Sequence, residues 1–207
     1  MTESLLTELV KDIYLAGGFR TGEFKLTSGG LSPYYVDLRI LVSKPRIFER
    51  LVDTYISKMK TVGESFDVVA GVETAGIPIA TLISHKTGVP MVFARSRERE
   101  HGTGRLVEGE LRRGSRVVVV DDVLTTGGSI LKAVEAIGSA DGEVAYAIVF
   151  LDRLQNGVKK LGEAGVKTYS VIDIRGFLKI LFENKLIPSS EYEKVLKYLE
   201  GFRNVEE

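Results

Sequence analysis

Apolar positions near the start of the chain follow a helical period. They recur three or four residues apart and stop before Gly17-Gly18, so we predict an amphipathic helix that ends at a glycine cap. A second helix should run from Pro45, which suits a first turn, to about Met59. Residues 19–43 between them look extended, and we predict a small hood subdomain over the sheet. The periodic apolar residues of the first helix are Leu5, Leu6, Leu9, Val10 and Ile13.

Short apolar runs alternate with helical stretches from residue 67 to residue 173. The alternation predicts an α/β fold, with a parallel sheet covered by helices on both faces. We expect one domain over 1–207, whose hood is formed mainly by 19–43 and the two C-terminal helices. Ser190 and Glu193 can form a capping box for the last helix. The predicted strands are 67–71, 91–94, 117–120, 144–151 and 167–172.

Residues 117–129 carry the strongest chemical pattern, reading Val-Val-Val-Val-Asp-Asp-Val-Leu-Thr-Thr-Gly-Gly-Ser. Four β-branched residues indicate a strand buried on both faces, and ligands of such sheets bind at the carboxyl ends of strands. The Gly/Thr/Ser loop before a helix is typical of a phosphate site. Asp121 and Asp122 would repel a phosphate, so they should hold ribose hydroxyls or work with a metal ion. The alternatives are a buried strand with an Asp-rich turn, and a Walker B strand, whose G-x-x-x-x-G-K-[ST] partner loop is absent.

Composition restricts the functional classes. The 207 residues include 28 basic and 28 acidic side chains, so a general nucleic-acid or membrane partner is not expected. There is no cysteine, and the two histidines, His85 and His101, are too few for a His-rich metal site. The N-terminus lacks the features of a signal peptide, and no apolar run approaches 18 residues. We therefore expect a soluble, cytoplasmic protein.

Two further segments could bind anions. Gly71 to Pro78 follows a predicted buried strand and precedes a helix, although its glycines could simply make a tight turn. Arg95, Arg97, Arg99 and His101 would share one face of an extended arm, which predicts a mobile cationic lid. A solvated charged loop is the alternative for that arm.

The segment 117–129 resembles the phosphoribosyl-diphosphate (PRPP) motif of type I phosphoribosyltransferases. The resemblance implies the type I fold and a ribose-binding role for Asp121 and Asp122. It also implies that the following residues bind PRPP, with the 5-phosphate in the Thr/Gly/Ser loop: Val123, Leu124, Thr125, Thr126, Gly127, Gly128 and Ser129. In that family the loop after the earlier strand binds pyrophosphate, partly through its backbone, and here it comprises Glu73, Thr74, Ala75 and Gly76. A lysine often found in orotate enzymes is replaced by Ala75.

Other segments are similar to orotate phosphoribosyltransferases in particular. Residues 24–35 match the F-x-L-x-S-G-x-x-S-P-Y-Y pattern that lines the pyrimidine pocket, and Phe150-Leu151-Asp152-Arg153 matches the segment whose arginine contacts the orotate carboxylate. Without the family, edge-strand tyrosines and an ordinary surface arginine are the alternatives. The orotate-binding residues implied are Lys25, Thr27, Tyr34, Tyr35, Thr125 and Arg153. The family's lid pattern Arg-Lys-x-x-Lys-x-His-Gly is matched by Arg95, Ser96, Arg99, His101 and Gly102, with both lysines replaced.

The resemblance implies a reaction and its partners. Orotate and PRPP would give orotidine 5-phosphate and pyrophosphate in pyrimidine synthesis, with Asp121, Asp122, Arg99 and His101 as the catalytic residues. Mg²⁺ would be held mainly by PRPP and water rather than by direct protein ligands. A homodimer is implied, in which the 95–105 loop reaches the neighbouring site. A phosphoribosyltransferase for another base and a PRPP-sensing regulator are the two alternatives.

Overall fold

The computed structural model describes residues 2–25, 30–95 and 106–202. Its helices and strands follow the predicted order, with a short 3₁₀ helix at Leu38–Ser43. The α-helices are α1 Glu3–Leu15, α2 Pro45–Val62, α3 Gly76–Thr87, α4 Gly128–Ser139, α5 Gly157–Glu163, α6 Ile174–Glu183 and α7 Ser189–Glu200. The strands are β1 Phe19–Lys25, β2 Leu31–Val36, β3 Val68–Val72, β4 Met91–Ala94, β5 Val107–Glu108, β6 Arg116–Leu124, β7 Glu143–Asp152 and β8 Thr168–Asp173.

The central sheet has six strands in the order β5-β4-β3-β6-β7-β8. Its pairs are parallel except for the short β5, which is antiparallel to β4. Val118 and Val120 of β6 belong to one hydrophobic cluster, whereas Val117 and Val119 belong to another. Successive side chains of a strand point to opposite faces, so the sheet is buried on both faces, as the run of valines predicts.

Most predicted helix ends are confirmed. Gly17 follows α1 and Gly88 follows α3, both with positive φ, as a left-handed cap requires. The capping box at Ser190 and Glu193 is wrong, since Pro188 holds the N-cap position and no side chain caps α7. Helix α7 begins at Ser189, which places Ser190 inside the first turn rather than at the cap.

The hood contains a two-stranded antiparallel sheet of β1 and β2. Residues 38–43, predicted to be extended, instead form the 3₁₀ helix, and the carboxylate of Asp37 caps it by accepting the backbone amide of Arg39. Phe19 and Tyr34 of the hood share a hydrophobic cluster with Val195 of α7 and with the central sheet. The hood is therefore packed directly onto the sheet and the C-terminal helix. None of the helices described is long and apolar enough to cross a membrane.

Candidate active site

The acid pair lies near the carboxyl end of β6, and its geometry is fixed by hydrogen bonds. Asp121 is 7% exposed, and its carboxylate accepts the amide of Asp122 at 3.0 Å and the hydroxyl of Ser129 at 3.1 Å. The carboxylate of Asp122 accepts the amide of Val123 at 2.8 Å. Tyr55 donates its hydroxyl to the backbone oxygen of Asp121 at 2.8 Å. Hydrogen bonds from the protein thus orient the pair.

Burial controls the ionisation of this pair. Desolvation raises the pKa of Asp121 well above its ordinary value, and the nearby charge of Asp122 adds to the effect. Desolvation also raises the pKa of Asp122, although the Val123 amide and the charge of Arg39 act in the opposite direction. Such close groups titrate as a pair. The two carboxylates are therefore costly to ionise, and neighbouring donors offset part of that cost.

The loop after β6 is shaped by close backbone packing against α5. Gly127 has φ near +78°, and a side chain there would meet Leu161 at 3.0 Å. A side chain on Gly157 would lie 2.6 Å from the backbone oxygen of Thr125. Glycine is therefore required at both positions. The loop can approach α5 only because these two side chains are absent.

This loop leads into the exposed first turn of α4. The helix begins at Gly128, and no side chain caps its first turn, so its first amides are available to an anion. Thr126 and Ser129 are exposed and Thr125 is half-buried. Leu124 is 1% exposed and packs into the core, so only its backbone can face a ligand.

The loop between β3 and α3 runs equally close to β6. A side chain on Gly76 would meet the backbone oxygen of Val120 at 2.2 Å, and one on Gly71 would meet Gly76 at 2.7 Å. The peptide bond between Glu73 and Thr74 is cis. The predicted pyrophosphate loop and the acid pair are therefore neighbours at one edge of the sheet.

Arg153 directly follows β7, on the other side of the acid pair. Its Nε donates to the hydroxyl of Tyr34 at 3.0 Å, and its guanidinium carbon lies 4.7 Å from the centre of that ring. Its Nη2 is buried and has no hydrogen-bond partner among the described residues. Tyr34 is 1% exposed and stacks on Phe19, and this burial raises the pKa of its hydroxyl. This arrangement leaves the buried Nη2 of Arg153 available to donate a hydrogen bond to a ligand.

Tyr34 and Tyr35 do not lie on the same face of β2. They are neighbours on β2 and point to opposite faces, which leaves Tyr35 37% exposed beside Phe24 and Arg39. Lys25 is exposed at the end of β1, where it pairs with Leu31. The structure therefore brings Tyr34 to Arg153 and separates Tyr35 from them.

Arg95 lies just after β4 beside a cavity of about 180 Å³, where it shares the lining with Ser129 and Lys132. Its Nη1 is 3.6 Å from Glu108, and its Nε is buried without a hydrogen-bond partner in the described parts of the chain. Six residues of the predicted pocket and lid lie outside the described ranges: Thr27, Ser96, Arg97, Arg99, His101 and Gly102.

Sequence reasoning missed three residues near the acid pair: Arg39, Asp37 and Tyr55. Arg39 and Asp37 follow the S-P-Y-Y segment directly and are charged, which was the available signal. Tyr55 lies on α2, and no local pattern separates it from an ordinary core tyrosine. Only the packing of α2 against the sheet brings its hydroxyl to Asp121.

Comparison with known proteins identifies the family of the chain. The chain matches the phosphoribosyl transferase domain family over residues 42–176. The fold and the site thus define a phosphoribosyltransferase. Orotate phosphoribosyltransferases from Staphylothermus marinus and Pyrobaculum islandicum are 41% and 43% identical to it, over 96% and 90% of this chain and 96% and 95% of their own lengths. The chain belongs to the orotate phosphoribosyltransferase family.

Solved structures agree with that placement. The orotate phosphoribosyltransferase from Aeropyrum pernix superposes with a TM-score of 0.73 at 32% identity, covering 84% of this chain and 98% of its own. Leishmania donovani UMP synthase gives 0.86 at 31% identity, covering 94% of this chain and 42% of its own. An adenine phosphoribosyltransferase from Thermoanaerobacter pseudethanolicus gives 0.61 at 22% identity, which shows a shared fold alone. The fold by itself therefore does not select the base.

Proposed function

We propose that the protein transfers the ribose 5-phosphate group of PRPP to orotate, giving orotidine 5-phosphate and pyrophosphate. The bond from ribose C1 to pyrophosphate breaks, and a bond from C1 to a pyrimidine nitrogen forms as that nitrogen loses its proton. The observation that carries the choice of base is the buried Nη2 of Arg153, which has no partner among the described residues. An unsatisfied buried donor is costly, and the carboxylate of orotate is a suitable acceptor.

Roles are proposed for the remaining residues from their positions in the structure or, for 96–101, from the family's lid pattern. Asp121 and Asp122 would accept the ribose hydroxyls, while the loop 125–129 and the first amides of α4 would hold the 5-phosphate. The loop 73–76 would contact pyrophosphate, with Arg95, Ser96, Arg99 and His101 closing over it. Such a site accelerates transfer mainly by positioning the reactants and stabilising the leaving group.

We propose that Mg²⁺ takes part, bound mainly by PRPP oxygens and water. The described residues include no group of three or more His, Cys, Asp or Glu side chains arranged around a common point. Mg²⁺ commonly keeps several waters and binds substrate phosphates, where it neutralises developing charge. The protein's own residues would then orient the ribose and the phosphates. Activity measured against Mg²⁺ concentration, with EDTA as the control, tests this requirement.

A steady-state assay with orotate, uracil, hypoxanthine and adenine tests the choice of base. We expect turnover with orotate and little with the other three. Uracil is the sharpest control, since it has the same ring without the carboxylate. Faster turnover with a purine or with uracil would identify a transferase for another base. PRPP binding without turnover of any base would indicate a regulatory protein.

We also propose a homodimer in which the 95–105 loop completes the neighbouring site, and a cytoplasmic role in de novo pyrimidine synthesis. Mixing Arg99→Ala with Asp122→Asn tests the shared site. Each variant alone should be nearly inactive, but free exchange makes half the dimers mixed, and each mixed dimer has one intact site. Activity should then recover to about a quarter of wild type. No recovery despite demonstrated subunit exchange would place the loop over its own subunit.

A further inference from the structure

The loop 71–78 has no cationic side chain for the diphosphate that it is proposed to bind. It contains Glu73 but no lysine or arginine, and Ala75 stands just before the helix glycine Gly76. Asp121 and Asp122 add two carboxylates close to this loop. This loop can therefore offer a multiply charged diphosphate only uncharged groups such as backbone amides, and positive charge must come from other segments. A basic group that faces the same space must therefore come from a neighbouring element.

A cavity of about 240 Å³ separates the loop from the 3₁₀ helix of the hood. Asp122 contributes to its lining, Thr74 and Ala75 belong to the loop side, and Arg39 belongs to the hood side. Arg39 is the only basic residue lining this cavity in the described part of the chain. The rest of the lining is apolar: Leu38, Val42, Phe48, Pro78 and Ile79.

Arg39 is held in place by neighbouring hood residues. Its Nε and Nη2 donate to the two carboxylate oxygens of Asp37 at 2.7 and 3.0 Å, and its Nη2 lies 3.5 Å from the hydroxyl of Tyr35. The same carboxylate accepts the backbone amide of Arg39 at 3.2 Å. Its Nη1 donates to no residue that the structure describes. A bidentate ion pair of this kind fixes the plane of the guanidinium and leaves Nη1 to donate to a ligand.

The positive charge of Arg39 affects the ionisation of Asp122. It lowers the pKa of Asp122 against the larger effect of burial, and both residues line the same cavity. Ala75 lines the same cavity. Arg39, Ala75 and Asp122 all border this cavity, so an anionic group beside Ala75 would lie within reach of the Arg39 side chain.

We propose that Arg39 binds the diphosphate end of PRPP, from the hood side of the cavity that faces Ala75. The inference rests on the proposed function, because it assumes that PRPP occupies the site. Asp37 is then a positioning residue, since it acts through Arg39. The 5-phosphate end of PRPP lies at the loop 125–129 and does not depend on this arginine.

Separate binding of two ligand fragments tests the proposal. Calorimetry at fixed Mg²⁺ would measure pyrophosphate and ribose 5-phosphate on the wild type and on Arg39→Ala. Pyrophosphate affinity should fall about 10- to 100-fold, the range of a charged hydrogen bond. Ribose 5-phosphate affinity should stay within about two-fold. The KM for PRPP should rise more than the KM for orotate. Arg39→Lys should recover only part of the lost pyrophosphate affinity, because lysine lacks the planar guanidinium that binds two oxygens at once.

Arg50→Ala is the matched control, since it also breaks an Arg–Asp pair, here between α2 and Asp12 of α1. It should leave both fragment affinities unchanged. If Arg39→Ala does not fold, Arg39→Gln gives the same test with the charge removed and much of the length kept. Unchanged pyrophosphate affinity, or equal losses for both fragments, would overturn the role of Arg39. A wild type that binds pyrophosphate but does not use orotate would instead overturn the proposed function alone.

Discussion

The proposed phosphate side of the site and its proposed base side are constructed differently. The phosphate side is formed by consecutive residues, 121–129, whose backbone is fitted closely against neighbouring elements. The base side joins residues far apart in the chain, as where Arg153 meets Tyr34 across 119 positions. On the phosphate side, the close approach of the backbone depends on glycines, which have no side chains. On the base side, the positions of the residues depend on a few side-chain hydrogen bonds. Substitutions should therefore damage the two sides in different ways.

The difference also bears on specificity. PRPP is the common substrate of this class. A site formed by backbone groups suits its phosphates, because they are the same for every member. The base differs among members that share the fold, so it should be recognised by side chains that can be exchanged without disturbing the sheet. Damage to the phosphate side should therefore reduce folding or all turnover. Damage to the base side should change the KM of one substrate.

The largest effect is expected for Gly76→Ala on the phosphate side. The new side chain would lie 2.2 Å from the backbone oxygen of Val120, so β6 or the loop must move. We expect a loss of about 3 kcal/mol in the free energy of unfolding, with a melting temperature lower by roughly 6–12 °C and little remaining activity. Denaturant and thermal unfolding would measure this loss.

Gly138→Ala is the control for that substitution. Gly138 lies in α4, and nothing would come within 4 Å of its new side chain. Alanine there should raise stability by about 0.5–1 kcal/mol, since it restricts the unfolded chain and favours the helix. Equal stability of the two variants would contradict the close approach at Gly76.

Asp122→Asn should reduce kcat/KM by roughly 10²-fold or more, as displaced positioning groups do. The shape of the side chain is kept, but the charge that would accept a ribose hydroxyl is lost. Steady-state kinetics would measure the loss, and circular dichroism would confirm the fold. Wild-type turnover in this variant would remove the acid pair from the mechanism.

The same variant should gain stability at neutral pH. Burial raises the pKa of Asp122 in the folded protein, so the folded state binds the proton more tightly than the unfolded chain does. Stability should therefore fall as pH rises from the ordinary aspartate range through the raised pKa. Asp122→Asn should weaken this dependence, which unfolding measured across pH would detect. An unchanged pH dependence would show that the pair does not carry this cost.

Arg153→Ala should raise the KM for orotate by about 10- to 150-fold, corresponding to roughly 1.5–3 kcal/mol for a charged hydrogen bond. The KM for PRPP should change far less, because that substrate lies on the other side of the acid pair. Kinetics with each substrate varied in turn would separate the two effects. Equal increases in both KM values would show that Arg153 does not discriminate the base.

The sequence predicted the phosphate side better than the base side. Four valines, two acids and a Gly/Thr/Ser loop are local, and each predicts its own geometry without knowledge of the fold. The relation between Tyr34 and Arg153 is not local, since it depends on how the hood packs on β7. Arg39 was missed for the same reason: its partner Asp37 is two positions away, but the cavity that it faces is formed by a loop more than thirty residues further along the chain. The capping box failed because α7 begins at Ser189 with Pro188 at the N-cap, which puts Ser190 inside the first turn.

The smallest effect is expected for Tyr34→Phe on the base side. It removes the oxygen that accepts from Nε of Arg153 but keeps the ring that stacks on Phe19. Loss of one hydrogen bond is worth roughly 0.5–1.5 kcal/mol, so the KM for orotate should rise about 2- to 13-fold. Tyr198→Phe is the control, because the Tyr198 hydroxyl accepts from Gln155 at 3.3 Å and its ring packs edge-on against Tyr34. That variant should leave the orotate KM unchanged. If both tyrosine variants raised it equally, the base side would depend on general packing in the hood rather than on the bond that orients Arg153.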